Sequence, residues 1–229
     1  MGTVERITTA MAELMRRQGY AATGIAELAR AAGVPNGSVY HHFRGGKRDV
    51  AARALRDSGA AYALLLPTLL APHDDLAAGL EAAFAEAGRT MEGTGWATMC
   101  PVATVTAEVA DVEPGLREVG AEVMTGWVDG GAAYLRGRGL GPDDAREVVH
   151  AVLAALEGAF VVARGLRSRE PFDAAGRAVA AWVATLPVEP RAVVVPVGVQ
   201  APAVSADPAP TAAPDPPRSG QDHARLPPP

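Results

Sequence analysis

Residues 23–50 read TGIAELARAAGVPNGSVYHHFRGGKRDV and predict two short helices joined by a tight turn. In the first helix, over residues 23–32, the apolar side chains share one face, and Gly33 ends the helix. The second helix covers about residues 35–43, and two glycines separate it from a further helix that opens at Lys47. Closely spaced helices with glycine turns indicate an all-α architecture at this end of the chain.

The exposed face of the second helix carries short side chains that form hydrogen bonds, namely Asn36, Ser38, His41 and His42. Such groups suit base edges and phosphate oxygens better than a protein core. A helix-turn-helix unit places its second helix in the major groove of DNA. Lys47 is the only lysine in the chain, and at a helix N-terminus we expect it to bind a phosphate. The pattern therefore predicts a DNA-reading unit.

The distribution of charge favours the same interpretation. The net charge is -5, yet residues 1–56 hold nine basic and four acidic side chains, a local charge of +5. A basic end on an acidic body is expected of a protein that meets phosphates at one end only. Chance clustering of charges on solvated helix faces is the alternative explanation.

Helical spacing continues through most of the remaining chain, and alternating strand patterns are scarce. Together with the two short helices, this gives about nine helices, the others being residues 3–18, 47–65, 74–92, 101–110, 113–138, 143–166 and 172–186. Residues 188–229 are rich in proline and are predicted to be a disordered tail, although residues 193–195 could form a short strand. The last two predicted helices have wide apolar faces suited to pairing with a second subunit. The interface residues predicted there are Val149, Val152, Leu156, Val179, Trp182 and Val183.

The quoted stretch resembles the DNA-binding domain of the TetR family, whose pattern is I-A-x-x-A-G-V-x-x-G-x-(L/V)-Y-x-H-F followed by a helix-opening lysine. The match runs from Leu28, a mild change for isoleucine, to Lys47. The resemblance implies that Ser38, Tyr40, His41, His42 and Lys47 contact DNA, that Asn36 and Gly37 approach bases, and that Thr23 and Gly24 offer backbone donors to phosphate. Glycine at position 24 replaces the family's usual Thr or Ser, which removes a hydroxyl contact there.

A weaker resemblance points to the LmrA/YxaF branch of this family. It depends on the extra residue in FRGGK and on MCPVATVTAEVAD at residues 99–111, with Cys100-Pro101 starting a helix and Glu108 near its end. The family resemblance implies a homodimer on a palindromic double-stranded operator, with a helix-turn-helix domain at 1–56. It also implies a helical ligand-binding and dimerisation domain at 57–187, whose small-molecule effector releases the DNA.

Candidates for lining the effector cavity are the large apolar and few polar residues of the central helices. They are Met91, Trp96, Met99, Cys100, Thr104, Met124, Trp127, Leu153, Glu157 and Phe160. Most could equally be ordinary core, since Met and Trp fill helical bundles more often than they line ligand sites. An apolar and aromatic lining favours a flat, hydrophobic ligand. Glu157 could orient one polar group of it or lie in water at the cavity edge.

Two other functions compete with the repressor hypothesis. One is an enzyme in which Cys100 is a nucleophile at a helix start and His150 or His73 is its base. The other is an α-helical protein-interaction module without DNA binding. Metal-ligand spacings, phosphate loops, long apolar spans and a secretory signal are not found in the sequence. We therefore expect a cytoplasmic protein without cofactor or metal and without a membrane partner.

Overall fold

The computed structural model describes residues 1–189, and within them the chain is entirely helical apart from one isolated bridge. The helices are α1 (Thr3–Gln18), α2 (Ile25–Ala32), α3 (Asn36–His42), α4 (Lys47–Ala63), α5 (Leu65–Leu70), α6 (Leu76–Gly93), α7 (Pro101–Val109), α8 (Pro114–Gly137), α9 (Pro142–Leu166) and α10 (Glu170–Val183). The all-α prediction is confirmed. Leu140 and Val188 form the bridge. Of the tail predicted over residues 188–229, the part from residue 190 onward, including the alternative strand, lies outside the described residues.

The prolines explain two differences from the predicted helices. The helix predicted over residues 47–65 ends at Ala63, and a separate short helix, α5, follows with Pro67 near its start. The helix predicted over residues 172–186 begins instead at Glu170, and Pro171 lies in its first turn. Proline is tolerated there because the first N–H groups of a helix have no intrahelical partner to lose. Residues 1–189 consequently contain ten helices rather than nine.

Helices α1, α2 and α3 form the predicted three-helix head, and α4 connects it to the rest of the chain. Gly33 ends α2 in the left-handed conformation, with φ of 65°, and lets the chain reverse toward α3. Val39 is the buried residue that fixes α3 on this core, which also includes Met11, Leu28 and Leu55. The same apolar cluster continues into α7 and the start of α8, so the head is packed against the rest of the described chain rather than tethered to it. The division predicted at residue 56 falls inside the continuous helix α4.

Helices α6 and α10 pack closely through two reciprocal contacts between phenylalanine and glycine. Phe84 of α6 lies over Gly176 of α10, and Phe172 of α10 lies over Gly88 of α6. Both rings are fully buried, and a Cβ atom built at Gly176 would lie only 2.8 Å from the Cβ of Phe84. The two glycines therefore allow the helix backbones to approach. This pair of helices forms one side of the central bundle.

From about residue 154 onward, helix α9 is apolar on its outer as well as its inner side, and this bears on the predicted interface. It is the one helix of the described part long and apolar enough to cross a membrane, although its inner face packs on α6, α8 and α10. Four predicted interface residues are buried inside this single copy, namely Val149, Val152, Val179 and Val183. The prediction is wrong for these four, because a side chain buried within one copy has no surface to offer a second. Leu156 and Trp182 also pack on this core, each partly buried.

Candidate DNA-binding surface and ligand cavity

Helix α3 presents most of its predicted DNA-contacting residues to solvent. Asn36, Gly37, Tyr40, His41 and His42 are exposed, Ser38 is half-buried, and only Val39 faces the core. They are exposed because this seven-residue helix buries only Val39. Their contacts with DNA stay a prediction, but the surface they need is present.

The loop after α3 fixes the position of the Tyr40 ring. Gly46 has φ of 62° and ψ of -134°, a backbone region that L side chains rarely adopt, and it caps the N-terminus of α4. A Cβ atom there would lie 3.2 Å from Cε1 of Tyr40, so the glycine lets the ring rest against the loop. Tyr40 nevertheless remains 55% exposed. The aromatic group is thus presented outward from a defined position.

The structure corrects the role predicted for Thr23. Its side chain is buried and its hydroxyl donates to the Gly19 carbonyl at 2.8 Å. Its backbone N–H donates to the Tyr20 carbonyl at 3.1 Å, so neither donor faces outward. Gly24, in contrast, is exposed at the N-terminus of α2, where a backbone donor to phosphate stays a prediction.

Lys47 opens α4 as predicted, but its ammonium group turns toward the α1–α2 turn. Nζ donates to the Ala21 carbonyl at 3.2 Å and lies 4.1 Å from the centre of the Tyr20 ring. Burial lowers the pKa of Lys47, while the charges of Glu108 and Glu113 act in the opposite direction. Phosphate binding by this lysine stays a prediction.

A largely apolar cavity of about 510 Å³ lies within the helical bundle. Its size falls in the range of small-molecule sites. Seven of the ten predicted lining residues surround it: Met91, Met99, Cys100, Trp127, Leu153, Glu157 and Phe160. Three residues predicted for the subunit interface, Val149, Val152 and Leu156, line it as well.

Three predicted lining residues lie elsewhere. Trp96 packs against the apolar cluster around Met91, and Met124 packs against the core of the head. Thr104 lies on α7 outside the lining, with its buried hydroxyl unpaired. Sequence reasoning missed Arg16 and Tyr62, which line the cavity from α1 and α4, because nothing local in the sequence brings those helices to this site.

The mouth of the cavity is marked by lining residues that are exposed to solvent. They are Ala63 and Leu65, where α4 meets α5, and Glu86 and Thr90 on the outer side of α6. The opening therefore lies between the α4–α5 junction and α6.

Cys100 and Glu157 are neighbouring titratable groups in the cavity lining. Burial raises the pKa of the Cys100 thiol well above its usual range, and the Glu157 carboxylate beside it adds to that effect. Burial also raises the pKa of Glu157, which the hydrogen bond with Cys100 partly offsets. A thiol that stays protonated is a poor nucleophile. The helix-start position does not activate Cys100, contrary to the premise of the enzyme alternative.

Two family descriptions match separate parts of the chain. "Bacterial regulatory proteins, tetR family" matches residues 7–54, and "Transcriptional regulator LmrA/YxaF-like, C-terminal domain" matches residues 77–178. The first match covers the helix-turn-helix, and the second covers most of the helices around the cavity. The resemblance to this branch of the family is therefore confirmed.

Individual relatives agree with these matches. The chain is 28% identical to the HTH-type transcriptional regulator LmrA of Bacillus subtilis, over 73% of this chain and 89% of that protein. It is 29% identical to an uncharacterized HTH-type transcriptional regulator of Mycobacterium tuberculosis, over 75% and 89%. The crystal structure of a regulatory protein TetR from Rhodobacter sphaeroides superimposes with a TM-score of 0.68 at 25% identity, over 77% of this chain and 96% of that one.

Proposed function

Because the chain belongs to the TetR family of transcriptional regulators, with a C-terminal domain of the LmrA/YxaF-like kind, we propose that it is a ligand-released repressor. A homodimer binds a palindromic DNA operator, and a small hydrophobic molecule in the cavity lowers its affinity for that operator. The observation that carries the proposal is the combination of an outward-facing α3 and an apolar cavity of about 510 Å³ in one chain.

The DNA-reading role is assigned to α3 and its surroundings. Tyr40, His41 and His42 are exposed, as are Arg44 and Arg48 shortly after them in the chain, and the exposed N-terminus of α2 at Gly24 adds backbone donors. Polar side chains on such a helix read base edges, whereas the flanking groups bind phosphates and set the orientation. Two copies of α3 must lie about 34 to 36 Å apart to enter successive major grooves on one face of DNA.

A second copy of this chain is the partner proposed for the outer face of α9. Val161 is 61% exposed and Val162 is 48% exposed, and the exposed residues Gly158 and Ala154 lie about one and two turns earlier on the same helix. A contiguous exposed apolar helix face is normally covered by another element or by a partner. Of the most apolar 18-residue stretch of α9, only 28% is buried within one copy. We assign the exposed outer face to the contact with the second copy. The interface is thus moved from the inner face, predicted from sequence, to the outer face.

The cavity supplies the regulatory site. Leu153 and Phe160 provide apolar walls, and Glu157 supplies a carboxyl group that can orient one polar group of the ligand. A ligand that favours the DNA-incompetent arrangement needs a coupling free energy of only about 1 to 3 kcal/mol to weaken operator binding several-fold to a hundredfold.

The test is a gel-shift assay with purified protein and DNA from upstream of its own gene. We expect a retarded band that competitor DNA of unrelated sequence does not remove and that weakens as salt rises. A screen of hydrophobic small molecules should then find compounds that release the DNA and so abolish the retarded band. Failure to form any sequence-specific, salt-sensitive band would favour the alternative of an interaction module without DNA binding.

A further inference from the structure

The turn between α1 and α2 is held by one side chain from α7. The N–H of Tyr20 donates to Oε2 of Glu108 at 2.7 Å, and the N–H of Ala21 donates to Oε1 at 2.6 Å. Gly19 makes this approach possible, since a Cβ atom there would lie 2.6 Å from Oε2. Hydrogen bonds to a carboxylate are shorter and about twice as strong as those between neutral groups. The turn is therefore fixed to α7 at two successive residues.

The other side of the same turn contacts the start of α4. The Ala21 carbonyl accepts from Lys47 Nζ at 3.2 Å, and that ammonium lies over the Tyr20 ring. A single short loop connects the end of α3 at His42 to Lys47 at the start of α4. The turn thus lies between Glu108 and the segment that leads directly out of the DNA-reading helix.

Helix α7 connects this turn with the ligand cavity. Its N-cap residue, Cys100, lines the cavity, and Glu108 lies in its last turn at the opposite end. Nearby, the Met99 N–H donates to the Arg16 carbonyl at 3.2 Å, and Arg164 donates to the Arg17 carbonyl at 2.9 Å. The C-terminal end of α1 is consequently held by residues that belong to the ligand-binding part of the chain.

We propose that Glu108 is a positioning residue that sets the orientation of the DNA-reading head against α7, through Tyr20, Ala21 and Lys47. Movement of α7 at the cavity end is passed to the head through this carboxylate. The proposal rests on the proposed function for its DNA readout, but the hydrogen bonds themselves can be tested without DNA.

The test compares Glu108→Gln with Glu113→Gln in the full chain. Gln keeps the size of Glu108 but replaces one acceptor oxygen with an NH2 group that faces an N–H donor. Glu113 is the matched control, because its charge also acts on Tyr20 and Lys47 while the two N–H groups of the turn bond to Glu108. Both variants therefore remove one negative charge from the same neighbourhood.

Three measurements distinguish positioning from general stability. In Glu108→Gln we expect amide exchange at Tyr20 and Ala21 to rise about tenfold or more, from the loss of bonds to a charged acceptor. Affinity for the DNA selected by the unaltered chain should fall about fivefold to tenfold, within the usual range for coupled sites. Spin labels on Ala26→Cys, at an exposed site of α2, should report a broader distribution of distances between the two heads, since the native Cys100 is buried.

Glu113→Gln should leave all three readouts close to those of the unaltered chain. The proposal is overturned if the two variants behave alike. It is also overturned if exchange rises in Glu108→Gln while operator affinity and head separation stay unchanged, since the bonds would then hold the turn without positioning the head. If the unaltered chain binds no DNA, the repressor function fails, and exchange and label distances still decide whether Glu108 orients the head.

Discussion

Replacement of Gly176 by alanine tests the close packing of α6 on α10. The new methyl group would lie 2.8 Å from the Cβ of Phe84 and 3.3 Å from its Cγ, and it also faces the Glu81 carbonyl at 3.5 Å. A distance of 2.8 Å is too short for two carbon atoms, so Phe84 must shift or the helices must separate. Phe84 lines the cavity, and its movement would change the shape of that wall.

Gly130→Ala is the matched control for this substitution. Gly130 lies inside α8 with no atom within 4 Å of a new Cβ. Both variants gain about 0.5 to 1 kcal/mol of helix propensity. Only Gly176→Ala carries the overpacking cost of about 1 to 3 kcal/mol. The difference between the two variants is therefore this packing cost, because the propensity gain cancels.

Thermal unfolding of the two variants, compared at one protein concentration, measures the difference. For a chain of this size, about 1 to 3 kcal/mol corresponds to a Tm difference of roughly 2 to 12 °C, with Gly176→Ala the lower. The single concentration matters because the apparent stability of a dimer depends on it. Equal Tm values for Gly176→Ala and Gly130→Ala would refute the close approach of α6 and α10.

Four further predictions concern the proposed sites. Tyr40→Ala should abolish operator binding while changing Tm little, because the side chain is 55% exposed, and normal operator affinity would contradict its assignment. Lys47→Ala should weaken binding to all DNA sequences about equally and lower the salt slope by about one, whereas a loss at one base position would contradict phosphate binding. Glu157→Gln should raise Tm at pH 8 but not at pH 4. Burial raises the pKa of Glu157, so its ionisation above that pKa lowers the stability of the folded state, and Gln removes this cost; an equal gain at both pH values would contradict this. Val161→Asp should give monomers in size-exclusion chromatography with light scattering, whereas Val112→Asp, at an exposed site outside α9, should not; a persistent Val161→Asp dimer would move the interface elsewhere.

The helix-turn-helix could be predicted closely because its boundaries are set by local chemistry. Gly33 and Gly46 adopt backbone conformations with positive φ, and such positions can be located from the sequence without knowing the tertiary structure. Helix α1 covers the predicted residues 3–18, and α4 begins at Lys47 as expected. Helix starts next to a proline were predicted less closely. Pro171 lies in the first turn of α10, and the sequence alone does not say whether such a proline ends one helix or begins the next.

The subunit interface could not be predicted from the same patterns. The second half of α9 is apolar on both sides, and periodicity indicates an apolar face without saying which neighbour covers it. Val149 and Val152 belong to the inner face, whereas Val161 and Val162 belong to the outer one. The cavity lining was predicted better, since large residues of central helices gather in a bundle. Arg16 was missed because only the tertiary packing of α1 brings it there.

The continuity of α4 across residue 56 bears on attempts to build hybrid regulators. A graft that joins this head to a foreign effector module would have to cut through the middle of a helix or carry its second half along. Arg16 lies on α1 of the head and lines the cavity, so transferring the head would also transfer one residue of the cavity lining. Under the proposed function, exchanging heads between relatives would therefore change the ligand site as well as DNA recognition, unless residue 16 were matched to the new host.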